Sequence, residues 1–442
     1  MRIAVDGTLS GLTPGERALL LERRPTDERR LRERVAGILR EVQSEGDAAL
    51  LRMAREFDGV SLDGIEVPRE RWRAALDALE PEARAGWERA AANILAFHAA
   101  LVPPDVEIEV ESGIRLGRMG LPLRTVGVYA PGGRAAYPSS VLMGVVPARA
   151  AGVREILVCS PPGPSGEPPP EVLAACWIGG ATRLFALGGA GAIGAMAFGT
   201  ETVPRTDTVV GPGNRWVTEA KRQVAGEIRI DSPAGPSEVL VVADAGADPA
   251  RVAGELVAQA EHDPDAAVAC TAWDPAVLDA VRSELARQTA RAPRRAIVEA
   301  ALAARGALLL AADREEALAF AESYAAEHLA LFTEDPARDM ETQTTAGTVF
   351  LGDASSVAFG DYLTGANHVL PTGGRARSFS GLSTLDFLRF CTWQELTPAG
   401  AASMSADVGR LARSEGLPAH AAAAEARAGG PPGSGPQAGG AG

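Results

Sequence analysis

The stretch Thr206-Asp-Thr-Val-Val-Gly211-Pro-Gly-Asn214 decides the architecture. Its β-branched run, Thr206–Val210, reads as a strand. Gly211 and Gly213 flank Pro212 and make a tight turn, and the residues from 215 to 225 read as a helix. A strand that runs through a glycine turn into a helix is the repeating step of an open parallel sheet, and ligands bind at such turns.

The same pattern extends in both directions. Upstream, strands are predicted at Thr125–Tyr129, Glu155–Cys159 and Arg183–Leu187, and one more follows at Glu227–Ile230. Helical runs separate them, which implies parallel pairing through crossover helices. A second block alternates in the same way. Its strands are Val239–Ala243, Ala267–Trp273, Leu308–Leu310, His328–Thr333 and Thr348–Leu351, with helices at 249–262, 276–291 and 314–324. The predicted fold class is α/β: two Rossmann-like parallel-sheet modules, one inserted in the other. Small N-terminal and helical C-terminal segments complete it.

The predicted organisation is a 1–23 N-terminal segment, a main domain of 24–128 and 238–383, and an inserted domain of 129–237. A helical segment of 384–428 and a Gly/Pro-rich tail of 429–442 follow, and the tail is predicted to be disordered. Within the main domain, Thr26–Phe57 is helical with Gly46 as a stop, and Arg69–Ala100 is helical with a break at Pro81. His98 sits there on a Leu/Phe face and reads as filler. Residues 161–170, PPGPSGEPPP, read as a surface loop.

At 442 residues the chain can bury large cores, and its net charge of −14 argues against a nucleic-acid or anionic-membrane partner. No apolar run approaches membrane-spanning length, and the N-terminus carries no secretory pattern. Cys159, Cys176, Cys270 and Cys391 form no CxxC pair, so they read as reduced, buried thiols of a cytoplasmic protein. Lys221 is the only lysine among 43 basic residues. Genome composition accounts for the arginine excess.

Five histidines carry most of the chemical signal. In Leu256-Val-Ala-Gln259-Ala-Glu-His262-Asp-Pro264, Gln259 and His262 share one face of a helix end. Alone, that stretch reads as a solvated helix end with an incidental His. An imidazole among oxygen donors also suits zinc. His328 follows Glu327, His368 lies seven residues after Asp361, and His420 lies five after Glu415. Four of five histidines near a carboxylate favour metal or acid/base chemistry. Glu327-His328 opens a strand, where neighbouring side chains face opposite ways, so the two residues would take different roles unless a bend re-aims one. Glycine turns follow three strands, at Gly132-Gly133, Gly189-Ala-Gly191-Ala-Ile-Gly194 and Gly211-Pro-Gly213-Asn214. They point to a nucleotide site, although the GxGxxG match alone is weak in a glycine-rich chain.

These residues resemble histidinol dehydrogenase from about 14 to 428. The matching stretches include VGVYAPGG (126–133), AFGTETVP (197–204), VVGPGN (209–214), VTEAKRQV (217–224) and SPAGPSEVLVVAD (232–244). AQAEHDPD (258–265), AAEHLALF (325–332), FGDYLTGANHVLPT (359–372) and EGLPAH (415–420) complete the set. The resemblance implies zinc-dependent oxidation of L-histidinol to L-histidine through the aldehyde with two NAD, the last step of histidine synthesis. It implies Gln259, His262, Asp361 and His420 as zinc ligands and Glu327 and His328 as the acid/base pair. Ser237, His368 and Glu415 would contact substrate, and Tyr129, Gly191 and Asn214 would contact NAD in the inserted domain. It further implies a homodimer whose C-terminal segment completes the partner's site.

Gly191 departs from the pattern, because the family usually has Gln there. That predicts NAD binding weaker by one hydrogen bond, of order 1 kcal/mol. No basic residue is evidently placed for a 2′-phosphate, which keeps NAD ahead of its phosphorylated form. Two rival readings are a related enzyme for another small alcohol, such as a sulfonated propanediol, and a non-catalytic zinc or nucleotide-binding protein. His368 and Glu415 favour histidinol, and the Glu327-His328 pair favours catalysis.

Overall fold

The computed structural model describes residues 1–23, 29–132 and 136–428. Thr26, Gly133 and the predicted disordered tail lie outside the described residues. The chain divides into two compact units. The first comprises Met1–Val102 and Leu123–Phe387, and the second Pro103–Pro122 with the chain from Leu388 onward.

The first unit holds two parallel sheets. The larger consists of β1 (Val5–Thr8), β9 (Glu238–Ala243), β10 (Ala267–Ala272), β11 (Gly306–Leu310), β12 (His328–Phe332) and β13 (Thr348–Leu351), in the order β1-β11-β10-β9-β12-β13. The smaller consists of β4 (Thr125–Tyr129), β5 (Glu155–Ser160), β6 (Arg183–Ala186), β7 (Thr208–Val210) and β8 (Arg229–Ile230), in the order β6-β5-β4-β7-β8. Every pairing in both sheets is parallel. The smaller sheet is inserted between β1 and β9 of the larger. β9, β10 and β12 are buried along their whole length, as strands covered on both faces should be.

The N-terminal segment is more than a lead-in, because β1 pairs with β11 at the edge of the larger sheet. The predicted helix over 26–57 is broken. Described helices span Arg29–Glu45 and Asp47–Met53, with Gly46 at φ 56° between them. Asp47 is tied across the chain by Thr200, whose hydroxyl donates to its Oδ1 at 2.6 Å. Helix Arg29–Glu45 inserts Val35, Ile38, Leu39 and Val42 into the smaller sheet's core beside Ile193 and Met196.

The segment 384–428 is expected to be helical, yet near its start it holds a strand that pairs with residues 103–122 in the second unit. β2 (Val106–Glu111), β3 (Ile114–Pro122) and β14 (Leu388–Leu396) form an antiparallel sheet in the order β14-β3-β2. β2 alternates apolar and acidic residues, Val106-Glu-Ile-Glu-Val-Glu111, yet both of its faces are exposed, Val106, Ile108 and Val110 included. Gly117 seats the Trp393 indole, since a Cβ there would lie 2.2 Å from the ring. Helices Pro398–Ser414 and Pro418–Glu425 pack together, joined by Arg413–Glu425 contacts of 2.7 Å. Cys159, Cys176 and Cys270 are buried as predicted, but Cys391 on β14 is only half-buried.

His98 is core. It is buried on helix Pro81–Ala100, and the Thr384 hydroxyl donates to its carbonyl at 2.6 Å. Burial pushes its imidazole down to about 4. The unfolded chain therefore takes up a proton near pH 6.5 that the folded chain refuses until about pH 4, so stability falls as pH drops through that window. The full effect is roughly 3 kcal/mol. Urea unfolding of wild type and His98→Phe, at neutral pH and at about pH 4.5, should show this pH dependence in wild type and its loss in the variant.

Candidate active site

A cleft of about 2180 Å³ lies within the first unit. In the smaller sheet the strand order reverses between β4 and β7, and the carboxyl ends of these strands supply Tyr129 and Pro212, Gly213 and Asn214 of the following turn to the cleft. In the larger sheet the reversal falls between β9 and β12. There the amino ends face the cleft, bringing Ser237, Glu327 and His328 to it. Gln259, His262, Asp361, His368, Gly191 and Asn214 line the same cleft. Glu415 and His420 belong to the second unit, where both are exposed.

Glu327 and His328 do not point to opposite sides. Ala325 adopts φ 52°, the one left-handed non-glycine residue among those described, and the chain bends at Glu327 before β12 begins. Gly347 makes room for the bend, because a Cβ there would lie 2.7 Å from the Glu327 carbonyl. The Glu238 N–H then donates to Glu327 Oε2 at 2.6 Å, and His328 Nδ1 lies 2.9 Å from the Glu238 carbonyl. A proton on Nδ1 would satisfy that carbonyl and leave Nε2 as the acceptor. His328 Nε2 is buried, has no hydrogen-bond partner and stands 3.8 Å from Asp361 Oδ1. Burial lowers the His328 pKa and raises that of Glu327 well above the carboxylate range, while the Glu238 N–H opposes the latter shift.

Other elements aim the remaining groups. Asp248 caps helix Pro249–Ala260, and Gln259 lies buried in its last turn, with His262 exposed just beyond. Glu255, one turn before Gln259, accepts the Val357 N–H at 3.0 Å and so anchors helix Val357–Tyr362, which carries Asp361. Asn367 donates to the Met143 carbonyl at 2.8 Å and accepts the Val369 N–H at 2.9 Å, bracketing His368. His368 Nε2 is buried without a partner, and burial lowers its pKa. Gln259, His262 and Asp361 line this cleft with an amide, an imidazole and a carboxylate, and His328 Nε2 and His368 Nε2 are buried without partners. Among the described residues no three His, Cys, Asp or Glu side chains gather as a metal-holding group.

On the opposite wall, Tyr129 is buried and its hydroxyl accepts the Gly189 N–H at 3.2 Å. Asn214 caps helix Arg215–Val224 through its own side-chain oxygen. In the GxGxxG match, Gly189 opens helix Gly189–Phe198 at φ 60°, Gly191 and Gly194 lie inside that helix, and Gly194 is small because Leu39 and Val42 pack on it. At Gly211 (φ 115°) a Cβ would fall 2.1 Å from the Tyr129 carbonyl, so only glycine fits.

Sequence reasoning passed over Arg23, Glu238, Glu255 and the Lys221–Asp231 pair. The available signal was a charge where none is cheap: Glu238 opens an otherwise apolar strand, and Lys221 is the only lysine. Asp231 and Lys221 form a buried ion pair that grips Gly211 from both sides. Asp231 Oδ2 accepts its N–H at 2.7 Å and Lys221 Nζ donates to its carbonyl at 3.0 Å. In Lys221→Met the buried Asp231 keeps its place but loses its cation, which should cost about 3–5 kcal/mol in denaturant unfolding.

A buried acid–imidazole pair that shares one cleft with glycine turns from a second parallel sheet is the site of an α/β enzyme. Residues 21–428 match the family model described as histidinol dehydrogenase. Histidinol dehydrogenase of Halobacterium salinarum is 48% identical over 420 residues, covering 95% of this chain and 98% of that protein. The Methanosarcina barkeri protein of the same name is 44% identical over 396 residues, covering 89% and 91%. The crystal structure of histidinol dehydrogenase from Elizabethkingia anophelis superposes with a TM-score of 0.91 at 35% identity, covering 96% of this chain and 98% of that one. The chain belongs to the histidinol dehydrogenase family.

Proposed function

We propose that this enzyme oxidises L-histidinol to L-histidine through the aldehyde, using two NAD and one zinc ion per subunit. The observation that carries the reading is the Glu327–His328 pair, held by the backbone of Glu238 at a cleft that also receives Tyr129, Gly213 and Asn214. NAD supplies the hydride acceptor for each of the two oxidations. Gln259, His262 and Asp361, with His420 from a second subunit, would hold zinc, which would supply a Lewis acid to the substrate.

His328 takes the hydroxyl proton through Nε2 as hydride leaves the alcohol carbon. Glu327, whose raised pKa makes its ionised form a stronger base, removes a proton from water as that water adds to the aldehyde, and His328 returns its proton to the aldehyde oxygen. The resulting hydrate gives up a second hydride while His328 again takes a hydroxyl proton, and the carboxylate is the product. Ser237, His368 and Glu415 orient the substrate. The exposed Val106, Ile108, Val110, Phe390, Leu411 and Leu417 of the second unit support a homodimer that covers them and brings Glu415 and His420 to the partner's cleft.

With limiting L-histidinol, two NADH should form per substrate. A chelator should abolish the signal and added zinc restore it. A folded, zinc-loaded enzyme that is silent with histidinol, yet turns over another small alcohol, would replace this reading with the sulfonated-alcohol one. Glu327→Gln and His328→Gln should each lower kcat about 10²–10⁴-fold. Gly191→Gln meets Met53 Sδ at 3.1 Å, a flexible tip that can give way, and should lower the NAD KM by up to about tenfold.

A further inference from the structure

We infer that Arg23, acting through Glu238, is the positioning element that holds Glu327 and His328 in register, an inference that rests on the function proposed above. Arg23 lies just beyond helix Pro14–Leu21 and is buried. Its guanidinium forks onto the Glu238 carboxylate, with Nε 2.9 Å from Oε1 and Nη2 3.0 Å from Oε2. Nη2 also donates to the Tyr324 carbonyl at 2.8 Å, and Nη1 donates to the Leu20 carbonyl. The guanidinium carbon stands 3.5 Å from the centroid of the Tyr324 ring. The Gly373 N–H donates to Glu238 Oε1 at 2.8 Å, so the carboxylate is held by a cation and a backbone donor together.

The consequence falls on the acid/base pair. Glu238 is the first residue of β9, and its N–H and carbonyl are the groups that fix Glu327 and His328. Tyr324 ends the helix three residues before Glu327, and the left-handed Ala325 lies between them. Arg23 therefore ties together the two lead-in segments, one into β9 and one into β12, whose relative placement sets the geometry of the pair. Only a planar, multi-donor cation reaches acceptors on both segments at once, and a lysine ammonium could not keep the fork. A buried ion pair is a weak device for stability, since apolar residues of like volume often do as well. It is a strong device for geometry, and displacements near 1 Å at a reacting centre can cost about a hundredfold in rate.

The test is steady-state kinetics with thermal melting on the zinc-loaded full chain, comparing wild type with Arg23→Gln, Arg23→Lys, Glu238→Gln and the Arg23→Gln/Glu238→Gln double variant. The expected result is a kcat loss of about 10–100-fold in Arg23→Gln and Glu238→Gln, with KM for histidinol and NAD changed less than about twofold. Arg23→Lys should recover part of the loss, and the double variant should be no slower than the slower single, because the two residues act as a unit. Singles that melt earlier but keep wild-type kcat, or losses that multiply in the double, would overturn the inference. If Arg23→Gln does not fold, Arg23→Lys and Glu238→Gln carry the same comparison. Wild type that makes no NADH from histidinol would fail the functional reading and this inference with it. Active wild type with unimpaired variants fails the inference alone.

Discussion

The site depends on two parallel sheets presenting opposite ends to one cleft. β4 and β7 bring their carboxyl ends, and β9 and β12 their amino ends. A parallel strand's carboxyl end is followed by a turn and a helix N-terminus, which suits a nucleotide. An amino end offers the first residues of the strand, already locked by the ladder, and these suit chemistry that needs side chains held still. The inserted connection lets one chain supply both kinds of surface.

Holding the acid/base pair still falls to buried polar contacts more than to apolar packing. Glu238 spends its backbone on Glu327 and His328 and its carboxylate on Arg23, while Lys221 and Asp231 clamp Gly211 on the facing wall. Each of these groups is nearly closed to solvent, where an unpaired charge is costly, so each contact tolerates few alternatives. The apolar cores around both sheets keep the strands in place; the polar contacts decide where individual atoms lie.

Much of this was legible in the sequence. The β-branched runs and glycine turns from Thr125 to Val210 declare a parallel module because strand and helix periods differ and glycine marks the tight turns. Glu327-His328, Gln259 with His262, and Asp361 with His368 stood out because the chain has only five histidines and these lie beside carboxylates or amides at element edges. Other features were hidden. β2 alternates apolar and acidic residues from Val106 to Glu111, but its apolar side is exposed, so the pattern did not report a buried face; glycines and mixed polar residues interrupt the alternation of β3 and β14. Within the GxGxxG match, Gly189 turns the chain into the helix at φ 60° while Gly194 serves helix packing, and the pattern cannot tell a turn from a close helix contact.

By itself, the sequence determined the two α/β modules, the insertion of one within the other, and the side-chain types available for catalysis. These follow from local periodicity, turn chemistry and composition, which act over a few residues. Tertiary structure decided that the bend at Ala325–Glu327 turns Glu327 and His328 onto the backbone of Glu238. It also decided that Arg23, 215 residues away from Glu238 in the chain, closes the arrangement. Contacts at that separation depend on how sheets and connections pack in three dimensions, and no local pattern records them.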